Sequence, residues 1–149
     1  MELTLKTIQD EENFKAFQLL LKSSSLPSED LDYKRDLLVG YYEDGAMVGT
    51  GGLEIYGEYG LLRSLSVKLG TRGKALGTAI TEYLIEQAKK RDLKGIYLLT
   101  ETAQGFFQRK GFTTVPRNAV PKDLEASSEF SHVCSETAVA MHHPLSGKG

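Results

Sequence analysis

Apolar and polar residues alternate at Leu3, Thr4, Leu5 and Lys6, the two-residue period of a strand. Asp10 stands where a helix N-cap would, with Asn13 three residues on, and Phe14, Phe17 and Leu21 then recur at helical spacing. The stretch SSSLPSED (23–30) reads as a connector. From Asp36 to Val67 the pattern predicts three consecutive antiparallel strands. Asp44-Gly45 marks the first hairpin and Gly57-Glu58-Tyr59-Gly60 the second.

The pattern then changes. Thr71 to Gly77 (TRGKALG) predicts a glycine-containing loop, followed by a helix with Leu76, Ile80, Leu84 and Ala88 on one face. Gly95 to Thr100 predicts a buried strand. A second helix is expected from Thr102 to Lys110, closed by Gly111, and Phe112–Val115 reads as another strand. Pro121 opens a short helical stretch, and Thr137–His142 closes the sheet. The order is β-α-(α)-β-β-β-α-β-α-β-(α)-β, an α/β chain with a mixed, mostly antiparallel sheet and helices on both faces.

Length changes this picture little: 149 residues suit one domain, 1–149. Apolar residues at 40% and charged residues at 26% are ordinary for a globular protein. No apolar run approaches the roughly 18–20 residues of a membrane span. The acidic start, MELTLKTIQDEENF, is unlike a signal peptide. A single cysteine, Cys134, allows no internal disulfide and fits a reducing compartment, so a cytoplasmic location is expected.

Charge matters more by position than by sum. The net charge of −2 argues against nucleic acid or anionic lipid as partners. Yet Tyr59 to Thr81 contains no acid, while Arg63, Lys68, Arg72 and Lys74 fall within it. That cluster suits either a compact anion or a solvated basic face. Strand, TRGKALG, then helix is an arrangement that can make an anion site. The first turn of a helix presents unpaired N–H groups and the positive end of the dipole, and Gly73 and Gly77 admit a close ligand. The loop has neither GxxxxGK[ST] nor GxGxxG. A plain strand-to-helix turn is the bland alternative.

Leu65-Ser66-Val67 followed by Arg72-Gly73-Lys74-Ala75-Leu76-Gly77 resembles the acetyl-CoA motif of the GNAT superfamily, hydrophobic-x-V then R-x-x-G-x-G/A at a helix start. Ala75 stands where that family usually has glycine. Residues 103–112 (AQGFFQRKGF) are similar to the family's A-x-x-F-Y-x-x-x-G-F. The resemblance implies a GNAT fold and acetyl-CoA as co-substrate. The cofactor would contact Leu65, Ser66, Val67, Arg72, Gly73, Lys74, Ala75, Leu76, Gly77 and Thr78, with Phe107 against pantetheine. Backbone amides of Leu65 and Val67 would pair with pantetheine and steady the oxyanion, donor and amine meeting between the two halves of the sheet.

The attacking amine must be neutral. The resemblance makes Glu54 the leading general base, since the family often places a glutamate on this strand. Apolar surroundings would raise its pKa usefully, whereas a partner at Arg63 would depress it. Phe107 replaces the family's usual tyrosine acid. Water, Thr100 or Thr102 would then return the proton, or the thiolate would leave unassisted. A catalytically weak acetyl-CoA-binding protein is the rival reading. Cys134, His132, His142 and His143 form no metal spacing, and no metal is expected.

For the acceptor, residues 52–67, 98–112, 115–121 and 127–141 resemble the N-acetyltransferases of arsenic-resistance gene sets. The C-terminal part is also similar to the acetyltransferase domain of N-acetylglutamate synthases. Both imply a small amino-acid-like amine, including an organoarsenical or glutamate analogue. An α-amine suits a weak base, because about a tenth of it is neutral at pH 7. Arg63 is the expected clamp for a substrate carboxylate; Arg117 reads instead as a solvated charge. The superfamily's habit of pairing C-terminal strands leaves a homodimer open.

Overall fold

The computed structural model describes residues 3–26, 28–68, 73–127 and 138–145. Strand β1 spans Leu3–Thr7, α1 Glu11–Ser23, β2 Leu37–Glu43, β3 Ala46–Tyr56 and β4 Tyr59–Val67. Then come α2 at Gly73–Lys90, β5 at Gly95–Thr100, α3 at Gln104–Gln108 and β6 at Thr113–Val115. Two 3-10 turns, Arg117–Ala119 and Lys122–Ala126, precede β7 at Val139–Pro144. The strands are hydrogen-bonded in the order β1-β2-β3-β4-β5-β7-β6. Of these pairings β4–β5 is parallel, and β1–β2, β2–β3, β5–β7 and β6–β7 are antiparallel. This is the mixed, mostly antiparallel α/β sheet that the hydrophobic pattern predicts.

The chain divides into two compact units, residues 1–54 with 63–84, and 55–62 with 85–149. In the first unit, α1 starts as expected: Asp10 accepts the Asn13 N–H at 2.8 Å and caps the helix. Its buried Phe17 and Leu21 cluster with Ile8, Leu31 and Leu38. Leu38 pairs with Gly52 across β2–β3, so α1 covers the face on which Gly52 lies. The other face belongs to α2. A side chain at Gly51 would run into Ile80 Cγ2, and one at Gly49 would come within 2.9 Å of Ile80 Cδ1. Because successive strand residues point to opposite faces, α1 and α2 cover opposite sides of this part of the sheet. Missing side chains at Gly49 and Gly51 let α2 approach closely.

In the second unit, Leu61, Tyr97, Val120, Leu124 and Ala140 form the buried cluster. The parallel ladder runs from Tyr59↔Gly95 to Leu61↔Tyr97. Tyr97 stacks on His142, with ring centroids 4.4 Å apart, and Phe112 meets His143 edge-on. Neighbouring histidines therefore point to opposite faces, as strand alternation requires.

Several boundaries differ from the sequence expectation. Helix α2 already begins at Gly73, so most of the expected TRGKALG loop is helical, and Gly77 is buried inside the helix. Its apolar stripe supplied no signal to start it earlier than Leu76. The second helix shortens to Gln104–Gln108, because the Thr100 hydroxyl accepts the Ala103 N–H at 3.0 Å and Gly111 turns the chain at φ +101°. The last strand runs on to Pro144. No helix stands between α1 and β2 among the described residues, where residues 32–36 instead make one turn closed by Asp36 N–H to Asp32 C=O at 2.7 Å. Arg72, His132, Cys134 and Thr137 lie outside the described residues. Among the described residues no helix is long and apolar enough to cross a membrane.

Candidate active site

Strand β4 changes character at Ser64. This residue sits in the left-handed region, φ 65°, where a side chain is costly by about 1 kcal/mol or more. Thr50 on β3 donates its hydroxyl to the Ser64 carbonyl at 2.7 Å, so a side chain takes up this backbone group at the irregularity. Beyond it, Lys68 donates its N–H to Val48 C=O at 2.8 Å. By strand alternation Ser66 turns its N–H the same way, and Leu65 and Val67 turn theirs toward the opposite edge of β4. Those are the two amides that the motif assigns to pantetheine. The Ser66 side chain is buried and shares a hydrogen bond with the Ser24 hydroxyl at the end of α1.

Six residues after Val67, at Gly73, the chain enters α2. The helix is 18 residues long and has no acid in its first turn, so nothing there opposes an anion at its N-terminal end. Ala75 is exposed, Leu76 and Gly77 are buried, and Thr78 is half-buried. Leu76 therefore serves the core.

The expected chemical residues meet in a buried ionic network of the first unit. The Glu54 side chain is 2% exposed and lies 3.2 Å from Arg63 Nη1, the pairing that would make it a poor base. Arg63 is fully buried along its side chain, and its Nη1 and Nη2 donate to Oδ2 and Oδ1 of Asp30. A substrate carboxylate could reach Arg63 only by displacing Asp30. Burial works to raise the Asp30 pKa, but hydrogen bonding and attraction from Arg63, with attraction from Arg35, hold it below the ordinary carboxylate value. Arg35 completes the group: its Nη2 lies 3.8 Å from Glu54 Oε2, and it grips Asp36 by two bonds of 2.9 Å.

Sequence reasoning missed Asp30, Arg35 and Asp36. They lie between α1 and β2, where periodicity is silent. The available signal was the run SEDLDYKRD, dense in charge of both signs.

Phe107 behaves differently. It is 5% exposed, with its ring edge-on to Phe106 and Phe112 at centroid distances of 5.1 and 5.6 Å. It is a core residue of the second unit, without a polar atom to offer. Thr100 uses its hydroxyl to accept the Ala103 N–H, while Thr102 is exposed. Arg117 is exposed but donates to Ala138 C=O at 3.1 Å, so it ties the chain together rather than standing as a merely solvated charge. A groove of about 290 Å³ lies along Lys15, Gln18, Leu19 and Lys22 of α1 with Ser28 and Glu29; among the described residues none of its lining comes from β4 or α2.

The strand order and the step from β4 into an acid-free first turn of α2 match the arrangement that the sequence motif implies. Residues 4–112 match the acetyltransferase (GNAT) family, and the chain belongs to it. Enzymes of this family draw their acetyl group from acetyl-CoA. A curated relative, the amino-acid acetyltransferase of Mycobacterium tuberculosis, is 30% identical over 91 residues, covering 60% of this chain and 49% of its own. The N-acetylglutamate synthase of Neisseria gonorrhoeae, solved with coenzyme A and N-acetyl-glutamate, superposes with a TM-score of 0.78 at 13% identity, over 97% of this chain and 35% of its own. A GNAT-family acetyltransferase of Staphylococcus aureus Mu50 gives 0.77 at 17% identity, over 97% of this chain and 99% of its own. The chain thus spans about half or less of the first two relatives.

Proposed function

We propose that the protein transfers the acetyl group of acetyl-CoA to the amine of a small, amino-acid-like substrate. The donor half rests on the β4–α2 segment: strand alternation from the Lys68 N–H bond turns the Leu65 and Val67 amides away from β3, and the helix starting at Gly73 holds no acid in its first turn. Pantetheine adds to the β4 edge as an extra strand would, and the diphosphate faces the helix end, with Arg72 and Lys74 supplying charge. The neutral amine attacks the thioester carbonyl. The tetrahedral oxyanion accepts a hydrogen bond from the β4 backbone, the C–S bond breaks, and coenzyme A leaves as thiolate. A thiol of ordinary pKa about 8.5 leaves tolerably without an acid, which suits Phe107. The amine proton passes to water or to Glu54.

The acceptor half is supported by the named relatives, one an amino-acid acetyltransferase and one a glutamate acetylator. These relatives do not bear on the arsenic-resistance resemblance, which enters only through the choice of acceptors. The test is release of free thiol from acetyl-CoA with glutamate, other amino acids, phosphinothricin-like and organoarsenical amines, and polyamines. Turnover with an α-amino acid is expected. Coenzyme A binding without thiol release from any amine would favour the catalytically weak rival, to which Phe107 and Ala75 lend support.

A further inference from the structure

Pairing with pantetheine asks the Leu65 and Val67 amides of β4 to face outward, and their direction depends on the residue before them. On β3, Glu54 lies two positions from Gly52 and so shares the face that α1 covers; Arg63 reaches that side to bond Glu54 and Asp30. Ser66 reaches the same side, to the Ser24 hydroxyl at the end of α1. Residues 63 and 66 are an odd number of positions apart, so a regular strand would send them to opposite faces. Ser64, at φ 65°, absorbs the difference. The offset there sets which later side chains turn inward and which amides turn outward, because a slip of one position exchanges them.

Ser64 does not hold this conformation by itself. It carries a side chain in the region that favours glycine, and its own buried hydroxyl finds no partner among the described residues. The restraint comes from Thr50, which is fully buried and donates its hydroxyl to the Ser64 carbonyl at 2.7 Å. Beyond Leu65, the Ser24–Ser66 bond and the bond from Lys68 N–H to Val48 C=O hold the other end. None of these bonds uses the Leu65 or Val67 amide. The segment is therefore fixed on both sides of Leu65 while its outward edge stays uncommitted to them.

Resting on the donor half of the proposed function, we infer that Thr50 and Ser24 are positioning residues: through the Ser64 carbonyl and the Ser66 side chain they aim the Leu65 and Val67 amides at pantetheine. Wild type, Thr50→Val, Thr50→Ser and Ser24→Ala are titrated by calorimetry with coenzyme A and with its 3′-phospho-ADP half, which keeps every phosphate and lacks pantetheine. Thermal melting confirms folding. Thr50→Val matches threonine in size but cannot donate. It is expected to weaken coenzyme A binding about 5- to 50-fold, the worth of one or two misdirected amide bonds, and to leave the phosphate half within about twofold. Thr50→Ser keeps the hydroxyl and should stay within about threefold of wild type for both ligands. Ser24→Ala, at an exposed helix end, should show the same selectivity at about 2- to 10-fold, and decides the matter should Thr50→Val not fold. Equal weakening of both ligands, no change for either, or a Thr50→Ser as weak as Thr50→Val would overturn the inference. Wild type that binds neither ligand, or holds the phosphate half as tightly as coenzyme A, would instead defeat the donor reading itself.

Discussion

The two units of the chain solve burial in opposite ways. The first encloses charge: Glu54, Arg63 and Asp36 are all but sealed, and each is matched by a partner of opposite sign. The second encloses rings. Tyr59, Tyr97 and His142 stack or meet edge-on, as do Phe106, Phe107, Phe112 and His143. Buried charges are worth their desolvation only when geometry fixes them, whereas rings need little direction. Directional chemistry is therefore concentrated in the first unit, and the family's usual acid position has become packing in the second.

The sharpest way to break the contrast is Arg63→Met. Losing this fully buried cation leaves Glu54 and Asp30 facing each other's charge, and about 3–5 kcal/mol of stability should go in urea unfolding. A loss below about 1 kcal/mol would show that the network is not structural. Glu54→Gln follows. If the buried carboxylate collects the amine proton, the acid limb of kcat/KM against pH disappears; an unchanged profile removes Glu54 from that role. Phe107→Tyr should have a smaller effect, costing about 1–3 kcal/mol by placing a hydroxyl among Phe106 and Phe112. Its kcat should stay within about threefold of wild type if thiolate departure needs no acid. A tenfold gain would show that the missing proton donor limits turnover.

The smallest effect is a pH dependence that separates the units. Burial, then the neighbouring His143, holds the His142 pKa below 6.5. The unfolded chain thus binds this proton more readily, so stability falls as pH drops below about 6.5 and levels off under the folded pKa. Asp30 is shifted down from 3.8, and its contribution is present above that value and disappears only as pH falls through its lower folded pKa. His142→Phe should flatten the first slope and leave the second. Loss of both slopes would tie the histidine to the ionic network.

Periodicity made most of the fold legible. Strands β1 to β5, both hairpins and the capped start of α1 follow from apolar patterning, the Asp44-Gly45 and Gly57–Gly60 turns, and Asp10. Motif spacing pointed to the β4–α2 segment, because an anion site of this kind is built from backbone over consecutive residues. The ionic network was harder to read. Asp30, Arg35 and Asp36 lie between α1 and β2, and their meeting with Glu54 and Arg63 depends on long-range contacts that leave no period in the sequence. Phe107 matched a motif position, yet only coordinates place it among rings.

Hydrogen–deuterium exchange with and without coenzyme A tests the central claim most directly. Slower exchange is predicted at the outward amides of Leu65 and Val67 and in the first turn of α2. No protection at either place under saturating coenzyme A would contradict the account.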